Sequence, residues 1–190
     1  HRPGQHIGAG RAPSALERGA AGTAADDRTG ARAQREQFAL VPSGGRTGLS
    51  GGAMPISQGL VLSLAKLKKI ISIDPFTRTA VVQPGVRNLA ISEAVAHLGL
   101  YYAPDPSSQI ACSIGGNVNE NSGGVHCLKY GLTLHNVLKV RGILMNGEIV
   151  EFGSLAPDSP GLDLLAIVMG SEGMLAVVTE VTVKLKLGYG

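Results

Sequence analysis

Three loops carry residue types that hold a ligand. Residues 42–52 read PSGGRTGLSGG, five glycines interleaved with Ser43, Thr47 and Ser50. A backbone this free of side chains lets successive N–H groups converge on an anion, with hydroxyls as extra donors. The spacing is neither that of a P-loop, which needs Gly-Lys-Ser/Thr, nor the GxGxxG of a nicotinamide Rossmann fold. Alone, the loop reads equally as a phosphate cradle or a glycine-rich linker. Residues 103–124 read APDPSSQIACSIGGNVNENSGG. Ser113 is placed to cap a short helix from Ile114, and Gly115 and Gly116 let backbone lie against a flat ligand. Asn117, Asn119 and Asn121 supply amides that donate and accept along a heterocycle's edge. An unpatterned stretch this long between well-patterned neighbours points to binding. The third loop, GSEG at 170–173, reads by itself as a helix C-cap and a turn.

Other chemistries find little support. His126, Cys127 and His135 lack a suitably spaced fourth ligand for a structural zinc, so no metal is expected. Cys127 has no visible partner set for nucleophilic catalysis, and no Ser/His/Asp spacing resembles a nucleophile elbow. No catalytic residue is therefore assigned within these 190 residues. Cys112 and Cys127 are the only cysteines and form no CxxC, which fits a reduced, cytoplasmic setting. No apolar run approaches the roughly 20 residues of a bilayer span, and the amino end has no apolar signal region.

The sequence pI near 9.0 reflects arginines 2, 11, 18, 28, 32 and 35. From Phe38 onward eleven Lys/Arg face ten Asp/Glu. The Lys66, Lys68 and Lys69 cluster has no interleaved aromatics, so a nucleic-acid partner is not expected.

These loops need elements to position them. Residues 1–37 are rich in Ala, Gly and Arg, carry no lasting period and are expected to be disordered or foreign to the fold. The domain is expected over 38–190. FALVPS (38–43), GLVLSL (59–64), IISID (70–74) and TAVVQPG (79–85) read as strands. A helix follows, with Asn88 as N-cap, Ile91, Val95 and Leu98 on one face, and Gly99 just past its end. Asn146-Gly147 joins two strands within VLKVRGILMNGEIVEFG, DLLAIVM (163–169) is helical, and the last strand lies within GMLAVVTEVTVKLKL (173–187).

The three loops, in this order, resemble the flavin site of the FAD-binding oxidases related to vanillyl-alcohol oxidase and p-cresol methylhydroxylase. The resemblance covers roughly 40–187. It is densest over VQPGVRNLAISEAVAHLGLYYAPDPSSQIACSIGGNVNENSGGVHCLKYGLTLHNVLKV and SPGLDLLAIVMGSEGMLAVVTEVTVKL, where the chain is similar to the flavoprotein subunits of bacterial glycolate oxidases. The implied fold is α+β and two-lobed: a small mixed α/β lobe beside a larger, mainly antiparallel sheet flanked by helices.

The implied cofactor is FAD. Ser43, Gly44, Gly45, Arg46, Thr47 and Gly48, with Ser50, would cradle its pyrophosphate. Pro104, Asp105 and Ser108 would line the isoalloxazine and ribityl region. Ser113, Gly115, Gly116, Asn117, Asn121 and Gly123 would pack along the flavin, and Glu172, Gly173 and Val178 would hold the adenosine side. Relatives that attach flavin covalently often use a histidine in the first glycine loop; residues 42–52 contain none, so non-covalent binding is implied. Relatives usually carry Arg ahead of those glycines where Ser43 stands here, leaving Arg46 as the replacement cation.

The implied reaction is oxidation of a small 2-hydroxy acid, glycolate or D-lactate. The implied partners are a second FAD-domain subunit and an iron–sulfur subunit, with location in the cytoplasm or peripheral to the inner membrane through them. The resemblance also implies that the chain stops where a substrate domain carrying catalytic histidines begins. The alternative is a non-catalytic FAD-binding module.

Overall fold

The computed structural model describes Arg18–Gly19, residues 39–156 and residues 161–188. Apart from Arg18–Gly19, the expectation for residues 1–37 lies outside the described residues. Those two residues form a short strand, β1, parallel to Leu62–Ser63.

Strand β2 (Ala39–Ser43) runs parallel to β3 (Gly59–Ser63), residue for residue from Ala39↔Gly59 to Ser43↔Ser63. With β1 they form a three-stranded parallel sheet in the order β1-β3-β2. The larger sheet is antiparallel. It contains β4 (Ile70–Asp74), β5 (Thr79–Val82), β7 (Val137–Ile143), β8 (Ile149–Gly153) and β9 (Val177–Lys184), in the order β4-β5-β9-β7-β8. A short strand β6 (Leu100–Tyr101) pairs with β10 (Lys186–Leu187). The α+β, two-lobed expectation is met.

β9 explains the core. It is central, so most of its residues are buried, and its VVTEVTV run supplies the β-branched side chains that suit a sheet covered on both faces. Val178, Val181 and Val183 join Val82 and Val140 from the flanking strands. Helix α1 (Asn88–Val95) adds Ile91 and Val95. Helix α2 (Ile114–Glu120) adds Ile114 and Val118, and helix α4 (Leu164–Val168) adds Leu165 and Val168. Helix α3 (Cys127–Tyr130) lies outside this cluster. A second cluster of Leu62, Leu64, Leu67 and Val177 joins the parallel sheet to the start of β9.

Local expectations mostly hold. The Asn146-Gly147 hairpin pairs Ile143 with Ile149, and Gly147 takes the positive φ of 87° that this tight turn requires. Gly99, at φ 69°, ends the short 3-10 turn after α1. Asn88 departs from its expected role. Arg87 occupies the cap position and makes no side-chain cap. The reason lies in the neighbouring loop: Cys112 O accepts from Asn88 N at 3.1 Å and Gln109 O accepts from Leu89 N at 3.0 Å. The helix's first donors are thereby satisfied, freeing the Asn88 amide for other work.

Candidate functional site

The first loop leaves β2 at Ser43, which is buried, with its carbonyl accepting from Leu64 N at 2.9 Å. Arg46 then adopts φ 54°, and its Nε donates to Ser43 Oγ at 2.8 Å. Such a fold-back lets the chain turn tightly over the start of α2.

Ser113 ties these two segments together. As the expected N-cap of α2, its Oγ accepts from Gly116 N at 3.4 Å, and it accepts from Gly45 N at 3.2 Å as well. The approach requires glycines. A Cβ on Gly44 would run into Ser113 Oγ, and one on Gly45 would sit 2.7 Å from Ala111 O. Behind the helix, a Cβ on Gly115 would lie 2.6 Å from Pro84 Cβ. Gly116 differs, because a Cβ there meets only Ser113 Oγ, at 3.4 Å.

Donor accounting separates the two segments. At the start of α2, Ile114 N donates to Val86 O, Gly115 N to Pro84 O, Gly116 N to Ser113 Oγ and Asn117 N to Ser113 O. The helix start thus spends its donors within the protein. Among the described residues, the N–H groups of Thr47, Gly48, Leu49, Ser50, Gly51 and Gly52 donate to no protein acceptor. That run of unspent donors, on a loop with little side-chain bulk, suits an anion.

The third loop docks on the far end of α2. Gly170 N donates to Val118 O and Glu172 N to Asn119 O, both at 2.9 Å, with Glu172 at φ 54°. Two carboxylates thereby flank the glycine loop. Ser50 Oγ donates to Glu120 Oε2 at 2.8 Å, and Glu172 Oε2 would stand 3.6 Å from a Cβ on Gly52. Carboxylates are acceptors, suited to hydroxyls beside the anion and unsuited to the anion itself.

The three loops enclose a cavity of about 520 Å³, within the usual range for a cofactor site. Of the residues expected from sequence, the six from Ser43 to Gly48 line it, with Ser108, Ser113, Gly115, Gly116, Asn117 and Glu172. The others stand back from the lining. Ser50 bonds Glu120. Pro104 is buried, its carbonyl accepting from Asn88 Nδ2 at 2.8 Å, while Asn88 Oδ1 accepts from Asn117 Nδ2 at 2.9 Å. Asp105 pairs with His126. Asn121 ends α2 at φ 48° and accepts from Leu134 N at 3.0 Å. Gly123 packs against Leu132 and Cys127, Gly173 against Pro42 and Asn119, and Val178 lies in the sheet core.

Pro84, Met54, Cys112 and Glu120 line the cavity without having been expected there. Glu120 was legible in one respect: once Ser113 caps the helix, 113, 116 and 120 recur on one helical face. Pro84 gave no signal, because its place depends on a strand end meeting Gly115 across the fold. Behind Cys112, burial pushes the Tyr102 phenol well above its ordinary range, with the thiol adding to the effect. Among the described residues, no group of three or more His, Cys, Asp or Glu is placed to hold a metal ion.

These features fit a flat, diphosphate-bearing ligand. The unspent N–H run answers the phosphates, the Gly116 face leaves room for a ring, and Asn119 Oδ1 is a buried acceptor with no protein partner. The family model described as "FAD binding domain" matches residues 28–153. The chain belongs to that family. Its cofactor is FAD.

Among curated relatives, this FAD-binding domain is 64% identical over 151 residues to the glycolate oxidase subunit GlcD of Escherichia coli (strain K12), covering 80% of this chain and 30% of that protein. It is 48% identical over 147 residues to GlcD of Bacillus subtilis (strain 168), covering 77% and 31%. The chain thus spans about three-tenths of the length of these relatives. Among solved structures, alkyldihydroxyacetonephosphate synthase superposes with a TM-score of 0.79 at 22% identity, over 90% of this chain and 31% of that one, a likeness of fold. No helix among the described residues is long and apolar enough to cross a membrane.

Proposed function

We propose that this chain is the FAD-holding part of a flavin-dependent 2-hydroxy-acid oxidoreductase. The observation that carries the reading is the loop at 47–52, whose N–H groups are unspent, set against a glycine-faced helix in a chain 64% identical to a glycolate oxidase subunit. Residues 43–48, with Ser50, hold the pyrophosphate through backbone donors. Gly116 and Asn117 form the wall along the flavin, with Ser113 and Gly115 fixing that wall from behind. Pro104, Asp105 and Ser108 flank the ring and ribityl end, with Asn121 and Gly123 supporting the turn beside it. Glu172 and Gly173 border the adenosine side, above Val178. Binding is non-covalent, because residues 42–52 contain no histidine.

Bound FAD supplies N5 as hydride acceptor. The donor is the α-hydrogen of glycolate or D-lactate, and the electrons leave through an iron–sulfur partner subunit beside a second FAD-domain subunit. The assembly is cytoplasmic or peripheral to the inner membrane through those partners. The domain proper occupies 38–190.

The test is purification followed by an absorbance scan. Flavin bands that leave with the small-molecule fraction on denaturing filtration support the reading. A folded, colourless chain that takes up no added FAD refutes it.

A further inference from the structure

The glycine loop crosses one face of α2. Residues 45–50 are all exposed, so burial does not hold them. Two hydrogen bonds tie them to the helix. At its start Gly45 N donates to Ser113 Oγ at 3.2 Å, and at its end Ser50 Oγ donates to Glu120 Oε2 at 2.8 Å, across 70 positions of sequence. Ser113 and Glu120 stand close to two helical turns apart, on the same face and about 10 Å from one another along the axis. The chain from Gly45 to Ser50 could reach roughly 17 Å if extended. With that much slack it must bow between its two ties. Gly48, near mid-span, still passes close to the carboxylate, with Glu120 Oε1 3.6 Å from a Cβ placed there. Gly116 lies on the helix between the ties and lines the cavity, as do residues 44–49 and Glu120. The bow is thus one wall of the cavity, and the helix face is the other.

A carboxylate is a poor neighbour for a diphosphate, since like charges repel. The bond to Ser50 accounts for its place here: a carboxylate accepts a stronger hydrogen bond from a hydroxyl than a neutral group does. We propose that Glu120 is a positioning residue for FAD. Acting through Ser50, it fixes the far end of the bow and so aligns the N–H groups of residues 47–52 on the pyrophosphate. The Ser50 hydroxyl serves as the tie, and its backbone N–H remains for the anion. This inference rests on the reading above that places the pyrophosphate on the glycine loop.

The test uses the full chain and follows FAD release by the recovery of flavin fluorescence after dilution. Ser50→Ala and Glu120→Ala should each release FAD about three- to tenfold faster, the factor of one hydrogen bond. The double variant should be no faster than either, because both changes break the same tie. Glu120→Gln, whose amide oxygen also accepts, should fall between the parent and Glu120→Ala. Without FAD, order parameters of the backbone N–H groups of residues 47–49 should drop in both alanine variants. Tm should stay within about 2 °C, since an exposed bond adds little to stability. A merely structural contact would lower Tm and leave release unchanged, and a role through charge alone would slow release in Glu120→Ala and Glu120→Gln alike. Either result overturns the proposal, as do unchanged order parameters or alanine effects that add in the double variant. A parent that takes up no FAD defeats the functional reading and this proposal together. Parent-like release from a flavin-loaded Ser50→Ala variant defeats this proposal alone.

Discussion

Replacing adjacent glycines of α2 should separate folding from cofactor binding. Gly116 lines the cavity, and a Cβ there meets only Ser113 Oγ, at 3.4 Å. In the unloaded fold, Gly116→Val therefore has room, and its helix propensity is slightly better than glycine's, so stability should stay within about 0.5 kcal/mol. With ligand present, the valine's carbons occupy the ring's space. Overpacking of that kind costs roughly 1–3 kcal/mol, which weakens FAD by about 5- to 150-fold. Gly115→Ala should behave oppositely. Its Cβ would stand 2.6 Å from Pro84 Cβ and 3.1 Å from Pro84 O, so the clash falls on the fold itself. A loss of roughly 1–3 kcal/mol lowers Tm by about 2–10 °C in a domain of this size. Thermal denaturation without FAD and fluorescence titration with FAD measure the two effects separately. A Gly116→Val protein with the parent's FAD affinity refutes the placement of the flavin on this helix face, and an unshifted Tm in Gly115→Ala refutes the packing argument.

Ser113→Ala removes the N-cap of α2 and the acceptor for Gly45 N, so urea denaturation should show a loss of about 1–2 kcal/mol, together with weaker FAD binding as the loop comes loose. Asn88→Ala leaves Asn117 Nδ2 and Pro104 O, both buried, without partners; a loss of roughly 2–4 kcal/mol is expected, and an unchanged urea midpoint would contradict the network. Tyr102→Phe deletes a buried hydroxyl that has no protein partner, so near pH 7 it should be neutral or stabilising by up to about 1 kcal/mol. Its alkaline signature is distinct. The folded phenol's pKa is raised while the unfolded one titrates near 10.0, so the unfolded chain releases its proton first and parent stability falls as pH climbs past 10.0. Urea midpoints on either side of that pH should show a shallower decline in Tyr102→Phe.

What could be read from the sequence followed from local rules. Ser113 declared itself by position ahead of an apolar turn, Asn146-Gly147 by a pairing that favours a hairpin, and β9 by its apolar, β-branched pattern. What escaped was set by partners distant in sequence. Asn88 looked like an N-cap because its neighbours were visible and the carbonyls of Gln109 and Cys112 were not. Val178 entered the expected site through resemblance, while its side chain is fixed by the sheet's alternation into the core. Asp105 was expected beside the flavin, yet its pairing with His126 depends on Gly124, whose role appears only once two loops are laid together.

The glycine loop and the helix divide one task. A helix start is the usual place to look for an anion site, because its first N–H groups lack partners. Here the protein consumes those donors itself: Val86 O and Pro84 O take the first two, and Ser113 takes the next two. The helix is thereby locked to the end of β5 and to the glycine loop, and it becomes a rigid wall with little left to donate. The loop inherits the donor role: among the described residues, Gly45 N on Ser113 Oγ anchors its backbone to α2, and the N–H groups of residues 47–52 are unspent. Rigidity and hydrogen-bonding capacity are thus placed on different segments. Changes in the wall should act on binding through shape, whereas changes that loosen the loop should act through the alignment of its donors.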